Sequence, residues 1–376
     1  RMLNALLTQA ARDGSSDIHI EPYERHSSVR FRVDGTLREV VQPNRALHAA
    51  LISRLKIMAE LDIAEKRLPQ DGRISLRLGS RSIDVRVSTL PSAHGERAVL
   101  RLLDKSGSKL TLPSVGMEGE TLVRFEQLIA QPHGIVLVTG PTGSGKTTTL
   151  YAALAKLDAS STNIMTVEDP IEYELGGIGQ TQVNAKIDLT FAKALRAILR
   201  QDPDVIMIGE IRDIETAQIA IQASLTGHLV LATLHTNDAA SAVTRLIDMG
   251  VEPFLLSSSL LGVLAQRLVR RYCRVCAGKG FLPKEGAQLP AHGGFDEASC
   301  IPCEACNKTG YQGRTGVFEL LVVNDAIREQ IHSSQSEADI RSAGLAGGMH
   351  LMREDGERLI ALGVTSREEV LRVTKD

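Results

Sequence analysis

Tryptophan is absent from the sequence, and the aromatic residues together make up only 3%. Stacking platforms for single-stranded nucleic acid are therefore scarce. Neither sign of charge is in excess: 43 basic and 45 acidic residues leave a formal net charge of −2. That balance excludes a general electrostatic pull toward nucleic acid or anionic lipid. Long apolar runs are missing too. The longest charge-free apolar stretch, Pro253 to Ala265, falls short of the ~20 residues a membrane-spanning helix needs. Arg1 to Arg12 carry no long apolar core of the kind a signal peptide has. The first residue is arginine rather than methionine, so the sequence reads as a fragment whose amino-terminal part has been cut away. Cysteine is rare, with five in all, yet four of them fall in C-x-x-C pairs. This points to a metal site in a reducing compartment rather than to disulfides. What remains, 43% hydrophobic and 23% charged over 376 residues, is an ordinary soluble globular balance with room for two or three domains.

Residues 1–104 read as an α+β domain. Ser16–Ile20 and Val29–Val33 alternate as strands do, and Asp34-Gly35 marks a hairpin turn. Ala46 to Ala64 has helical periodicity, and strands are expected at Ile74–Leu78, Ile83–Val87 and Ala98–Leu103. Residues 105–116, rich in Ser, Gly and Pro, read as a linker. From residue 117 to 271 strand and helix alternate. Ile135–Val138, Ile164–Val167, Val205–Ile208 and Leu229–Thr233 are short apolar runs suited to buried parallel strands. Helices are expected at Gly145–Leu157 and near 190–199, 213–225 and 238–248. The fold class is therefore α/β, a doubly wound sheet. Residues 272–313 break that pattern with cysteine, glycine and proline, and 314–376 read as a mostly helical end. Thr365-Ser366 with Glu368-Glu369 should cap the last helix.

Gly140-Pro141-Thr142-Gly143-Ser144-Gly145-Lys146-Thr147 fits the P-loop pattern and lies between an expected strand and an expected helix. The glycines let the backbone curl until its N–H groups face phosphate oxygens, and the helix dipole favours the charge there. Lys146 would reach the β- and γ-phosphates of ATP, and the hydroxyl of Thr147, followed by Thr148, would ligate Mg²⁺. No N-K-x-D guanine signature is present, since Asn307-Lys308 continues as Thr309-Gly310. Val205–Glu210 is an apolar strand that ends in an acid, which can hold Mg²⁺ or its water. Thr166–Tyr173 closes another strand with Glu168, Asp169 and Glu172, carboxylates suited to polarising an attacking water. Thr226–Thr236 brackets a strand with His228 and His235. A histidine beside a γ-phosphate can sense it, although a lone histidine is more often structural.

The cysteines leave a choice of pairs, which an internal repeat resolves. Cys273-Arg-Val-Cys276-Ala-Gly-Lys-Gly280-Phe281 and Cys303-Glu-Ala-Cys306-Asn-Lys-Thr-Gly310-Tyr311 both read C-x-x-C-x-x-x-G-aromatic. The pair Cys300-x-x-Cys303 fails this pattern because Asn307 stands where the glycine should be. Two such knuckles present four thiolates, the set tetrahedral Zn²⁺ prefers, and no open position for catalysis is apparent.

In order and spacing the P-loop, the Glu168–Tyr173 box, Ile208–Asp213 and the His228/His235 segment resemble those of secretion and pilus ATPases, over nearly the whole chain. The four cysteines resemble the secretion and pilus-extension members rather than the retraction motors. Gly348–Gly356 and Glu368–Thr374 look more like type II secretion. The resemblance implies a RecA-like P-loop motor domain, with Glu172 as catalytic carboxylate, Glu210 as the Walker B acid and Glu168 at the nucleotide. It also implies that Arg196 and Arg200 reach the phosphates, joined by Arg86 and Arg101 of the first domain when the domains close. Finally, it implies a homo-hexamer at the cytoplasmic face of the inner membrane, held by an inner-membrane platform protein through the missing amino-terminal region. Competing readings are a pilus-extension ATPase, a nucleic-acid translocase, which charge and aromatic content oppose, and a non-catalytic zinc-and-nucleotide scaffold. The scaffold should have lost an acid, yet Glu168, Glu172 and Glu210 are all present.

Overall fold

The computed structural model describes residues 2–78, 81–104, 110–278, 281–283 and 300–374. The chain divides into two compact units, the first ending at Lys109 and the second beginning at Leu110.

In the first unit α1 (Met2–Arg12) precedes β1 (Ser15–Pro22), β2 (Ser27–Val33) and β3 (Thr36–Val41). There follow α2 (Arg45–Met58), β4 (Gln70–Leu78), β5 (Arg81–Ser92) and β6 (Gly95–Asp104). The strands form one antiparallel sheet in the order β3-β2-β1-β6-β5-β4. Asp34 and Gly35 both have positive φ, 49° and 85°, as the tightest hairpin turn between β2 and β3 demands. The helix expected to run to Ala64 stops at Met58, because Glu60 turns left-handed (φ 57°) and the Leu61 N–H bonds back to the Lys56 carbonyl. Leu3, Leu7, Ile18, Ile20, Phe31 and Leu55 form the centre of this unit's core.

The second unit opens on residues expected to be linker. Residues 105–109 lie outside the described residues, but Leu112 of that stretch is buried in the core of this unit. The elements are α3 (Gly119–Ile129), β7 (Gly134–Thr139), α4 (Lys146–Lys156), β8 (Ile164–Glu168), β9 (Gly179–Gln182), α5 (Phe191–Ile198) and β10 (Val205–Ile208). Next come α6 (Ile214–Leu225), β11 (Leu229–Leu234), α7 (Ala239–Asp248), α8 (Pro253–Ser259) and β12 (Leu260–Tyr272). The chain ends through β13 (Phe281–Pro283), β14 (Cys300–Pro302), β15 (Tyr311–Val322), α9 (Asp325–His332), α10 (Glu337–Ala346), α11 (Met352–Ala361) and α12 (Arg367–Val373). Seven strands lie in the order β15-β12-β7-β11-β10-β8-β9, all parallel except β15. Strands β7, β10 and β11 are buried along their whole length. Along β7, Ile135 and Leu137 enter the core under α5 and α6, while Val136 and Val138 enter the one under α3 and α4.

Residues 314–376 are not mostly helical from their start. The run Gly316–Val322 belongs to β15 and pairs antiparallel with β12, so the strand is part of the core sheet. Helices occupy the chain only from Asp325, and Ser366 caps the last of them through the Glu369 N–H.

Candidate active site and metal centre

Parallel register brings the ends of four strands to one edge. Thr139 pairs with Leu234, Ala232 with Ile208, and Ile208 with Val167. The next residues of each strand, Gly140, His235, Gly209-Glu210 and Glu168-Asp169, therefore share the carboxyl edge of the sheet, where doubly wound folds bind ligands.

The P-loop turns from β7 into α4 at this edge. Gly140, Gly143 and Gly145 have φ of 147°, 80° and 89°, conformations open to glycine and strained for other residues. Gly145 caps α4, and its left-handed turn leaves the first helical N–H groups facing outward. The Lys146 ammonium is buried and donates to the carbonyls of Gly140 (2.8 Å) and Pro141 (3.2 Å). Burial holds its pKa below the ordinary lysine value, and the charge of Glu210 pulls it the other way. Glu210 receives the Arg212 guanidinium at 2.9 Å and lies 3.3 Å from His235 Nε2. Burial lowers the His235 pKa, as do the Lys146 and Arg212 charges, against the opposing pull of Glu210, so the ring is neutral at pH 7.

Glu168 does not face an open site. It is buried, and it accepts hydrogen bonds from Thr166 Oγ1 (2.6 Å), Gln180 Nε2 (3.0 Å) and the Tyr151 hydroxyl. Both carboxylate oxygens are thus engaged with the protein. Strand alternation is the reason: Thr166 and Glu168 project from the same face of β8, toward Tyr151 on α4. Tyr151, which the sequence reading passed over, joins the P-loop helix to the acidic box. Its oxygen also accepts from the Glu172 backbone N–H at 3.3 Å and from Gln180 Nε2 at 3.4 Å. Burial raises the Tyr151 phenol pKa, as does the neighbouring Glu168 charge, so the hydroxyl keeps its proton. Only its place on α4, a helical turn and more past Lys146, could have pointed to it.

Two expected residues lie elsewhere in the chain. His228 precedes β11 and sits at the amino edge of the sheet, where its Nδ1 meets the Ala223 carbonyl at 2.8 Å at the end of α6. Arg200 lies where the chain returns to the amino end of β10, and its guanidinium donates to the Arg196 carbonyl. Neither is brought to the P-loop of the same chain, because each follows a helix that runs back from the carboxyl edge. Arg196 pairs with Glu215, in the first turn of α6, at 2.7 Å. In the first unit Arg86 and Arg101 face each other across β5 and β6, and Arg101 is held on the buried Asp17 at 3.0 Å.

Past this same carboxyl edge, β12 and β15 extend beyond the sheet and lead to the cysteines. The sulfurs of Cys273, Cys276, Cys303 and Cys306 are buried and lie within 4.8 Å of one another. Cys273–Cys303 and Cys276–Cys306 are 3.9 and 3.7 Å apart. Four thiolates about 2.3 Å from one tetrahedral ion stand about 3.8 Å apart, so this cluster has the size of a metal cage. The Gly310 N–H points at Cys306 Sγ (3.3 Å), and Gly310 takes φ 77° where a Cβ would lie 2.4 Å from the Gly278 carbonyl oxygen. The matching Gly280 of the first knuckle lies outside the described residues. The cage is tied to the chain's end: Tyr311 stacks on Tyr272, Arg270 lies 4.3 Å from the Tyr311 ring, and Arg270 pairs with Glu369 of α12.

Residues 1–372 match the model of the family described as Type II/IV secretion system protein. The type II secretion system protein HxcR of Pseudomonas aeruginosa is 68% identical over 376 residues, which are 100% of this chain and 77% of that protein. The type II secretion system ATPase E of Vibrio cholerae is 58% identical over 384 residues, covering 100% of this chain and 75% of that protein. Among solved structures, the pilus retraction motor PilT with bound ADP aligns with a TM-score of 0.66 at 26% identity, over 100% of this chain and 97% of its own. The ATPase DotB of Legionella pneumophila shares the fold, with a TM-score of 0.73 at 21% identity over 99% and 95%. No helix among the described residues is long and apolar enough to cross a membrane. With its P-loop at the carboxyl edge of a mostly parallel sheet and relatives matched along its whole length, the chain belongs to the type II/IV secretion system protein family.

Proposed function

We propose that the chain hydrolyses ATP and is the motor of type II secretion, driving pseudopilus assembly from the cytoplasmic face of the inner membrane. The observation that carries this reading is the meeting of the P-loop, Glu210 and His235 at one sheet edge, with Lys146 close enough to feel the Glu210 charge. Bound there, Mg²⁺ would supply charge neutralisation for the phosphates, held by the Thr147 hydroxyl and, through water, by Glu210. Lys146 binds the β- and γ-phosphates, and Glu172 takes the proton of the attacking water. Arg86 and Arg101 of the first unit add positive charge to the phosphates, the role the family resemblance implies for them. The working form is a homo-hexamer docked on an inner-membrane platform protein. A ring completes or gates its sites through neighbours, so hydrolysis per subunit should rise with protein concentration. Phosphate release over a dilution series, with mass by light scattering, measures this. A flat specific activity carried by monomers throughout overturns the ring.

The four-cysteine cage holds Zn²⁺ in a structural role. Serine at Cys273, Cys276, Cys303 or Cys306 should each abolish the zinc content. Each should also lower Tm by about 10 °C, the size of losing a ligand present at about a thousandfold its Kd in a domain of this size. Cys300→Ser should keep one zinc per chain. Metal lost from Cys300→Ser and kept by Cys306→Ser, read by atomic absorption, would reverse the pairing.

A further inference from the structure

Gln266 is a polar residue in the apolar part of β12, 1% exposed. Its neighbour Ala265 pairs with Thr139, the last residue of β7, so Gln266 lies where that strand gives way to the P-loop. The side-chain amide reaches both limbs of the loop. Nε2 donates to the Ser144 carbonyl at 2.7 Å, and Oε1 accepts from Thr149 Oγ1, on α4, at 2.7 Å. The contact extends to two of the P-loop glycines. A Cβ on Gly140 would stand 2.4 Å from the Gln266 backbone oxygen, and one on Gly145 would stand 2.9 Å from Nε2. The glycines are therefore required by the closeness of β12 as well as by backbone conformation.

We propose that Gln266 is a positioning residue of the nucleotide site, whose buried amide sets the direction of the Ser144–Gly145 peptide. In a trans peptide the C=O and the following N–H point in opposite directions. Drawing the Ser144 carbonyl inward to Gln266 turns the Gly145 N–H outward, toward the place a phosphate oxygen takes. The bond from Thr149 fixes the amide the right way round, because the opposite orientation would set Oε1 against the Ser144 carbonyl oxygen. Without that donor the peptide can rotate, and the loop loses preorganisation for phosphate rather than its fold.

This inference rests on the ATP reading above, and one set of variants separates the two. Gln266→Met keeps the volume but removes both donor and acceptor. A fluorescent ADP titration and steady-state ATP hydrolysis should show Kd and KM raised about tenfold, with KM moving more than kcat. Zinc content and far-UV circular dichroism should stay as in the parent. Thr149→Val should raise KM about threefold. The double variant should be no worse than Gln266→Met alone, because both act through one amide. Kd and KM within twofold of the parent in folded Gln266→Met overturn the inference. If that variant does not fold, an unchanged KM in Thr149→Val does so. Lys146→Ala is measured alongside: turnover that survives there overturns the ATP reading itself.

Discussion

Lys146→Ala should abolish ATP turnover, by on the order of a thousandfold or more. The lysine is the one cation the P-loop places in its own turn, buried and poised on the Gly140 and Pro141 carbonyls. During phosphoryl transfer negative charge moves onto the β,γ-bridge, and a preorganised ammonium can follow it without reorganising solvent. Alanine leaves that charge unmatched. It should do little harm to the fold, since burial already disfavours the charged form of Lys146. Phosphate release by the purified variant checks the expectation. Turnover within about threefold of the parent would sink the assignment of this loop to ATP.

The second large effect concerns chemistry alone. Glu172→Gln should lower kcat by about a hundredfold to ten-thousandfold while nucleotide binding survives, since the amide keeps the shape of the carboxylate but not its basicity. The structure gives a reason for the split. The acidic box is anchored through Glu168, and Glu172 is tied to Tyr151 by its backbone N–H, which glutamine retains. The loop should therefore stay in place when the side chain changes. Equal loss of binding and of kcat would make Glu172 a structural residue.

What the sequence disclosed followed burial pattern. Runs such as Ile135–Val138 and Val205–Ile208 are short, apolar and bounded by turn residues, and they are strands β7 and β10. The P-loop was legible because its chemistry needs glycine at fixed places, and the cysteine pairing was legible through its repeat. Strands β12 and β15 were not, because most of their central residues are buried on both faces and show no period of two. The histidines show a different limit. His228 and His235 flank the same strand, and spacing treats them alike. Strand direction does not: the residue before a parallel strand lies at the edge opposite the ligand, and only His235 follows β11. Residue type alone did not separate Glu168 from Glu172 in the acidic box; the fold adds that β8 turns the first of them toward Tyr151.

The short ladder between β13 and β14 has a practical consequence. Phe281, Leu282 and Pro283 pair with Pro302, Ile301 and Cys300, so the chain leaves and re-enters this ladder at neighbouring points. A passenger sequence spliced between Pro283 and Cys300 would start and finish side by side. Closing a longer loop there costs only about 0.6 kcal/mol for each doubling of its length. A fluorescent reporter or an affinity handle could ride at that point, past the carboxyl end of β12, whereas the P-loop packs against Gln266 within that strand.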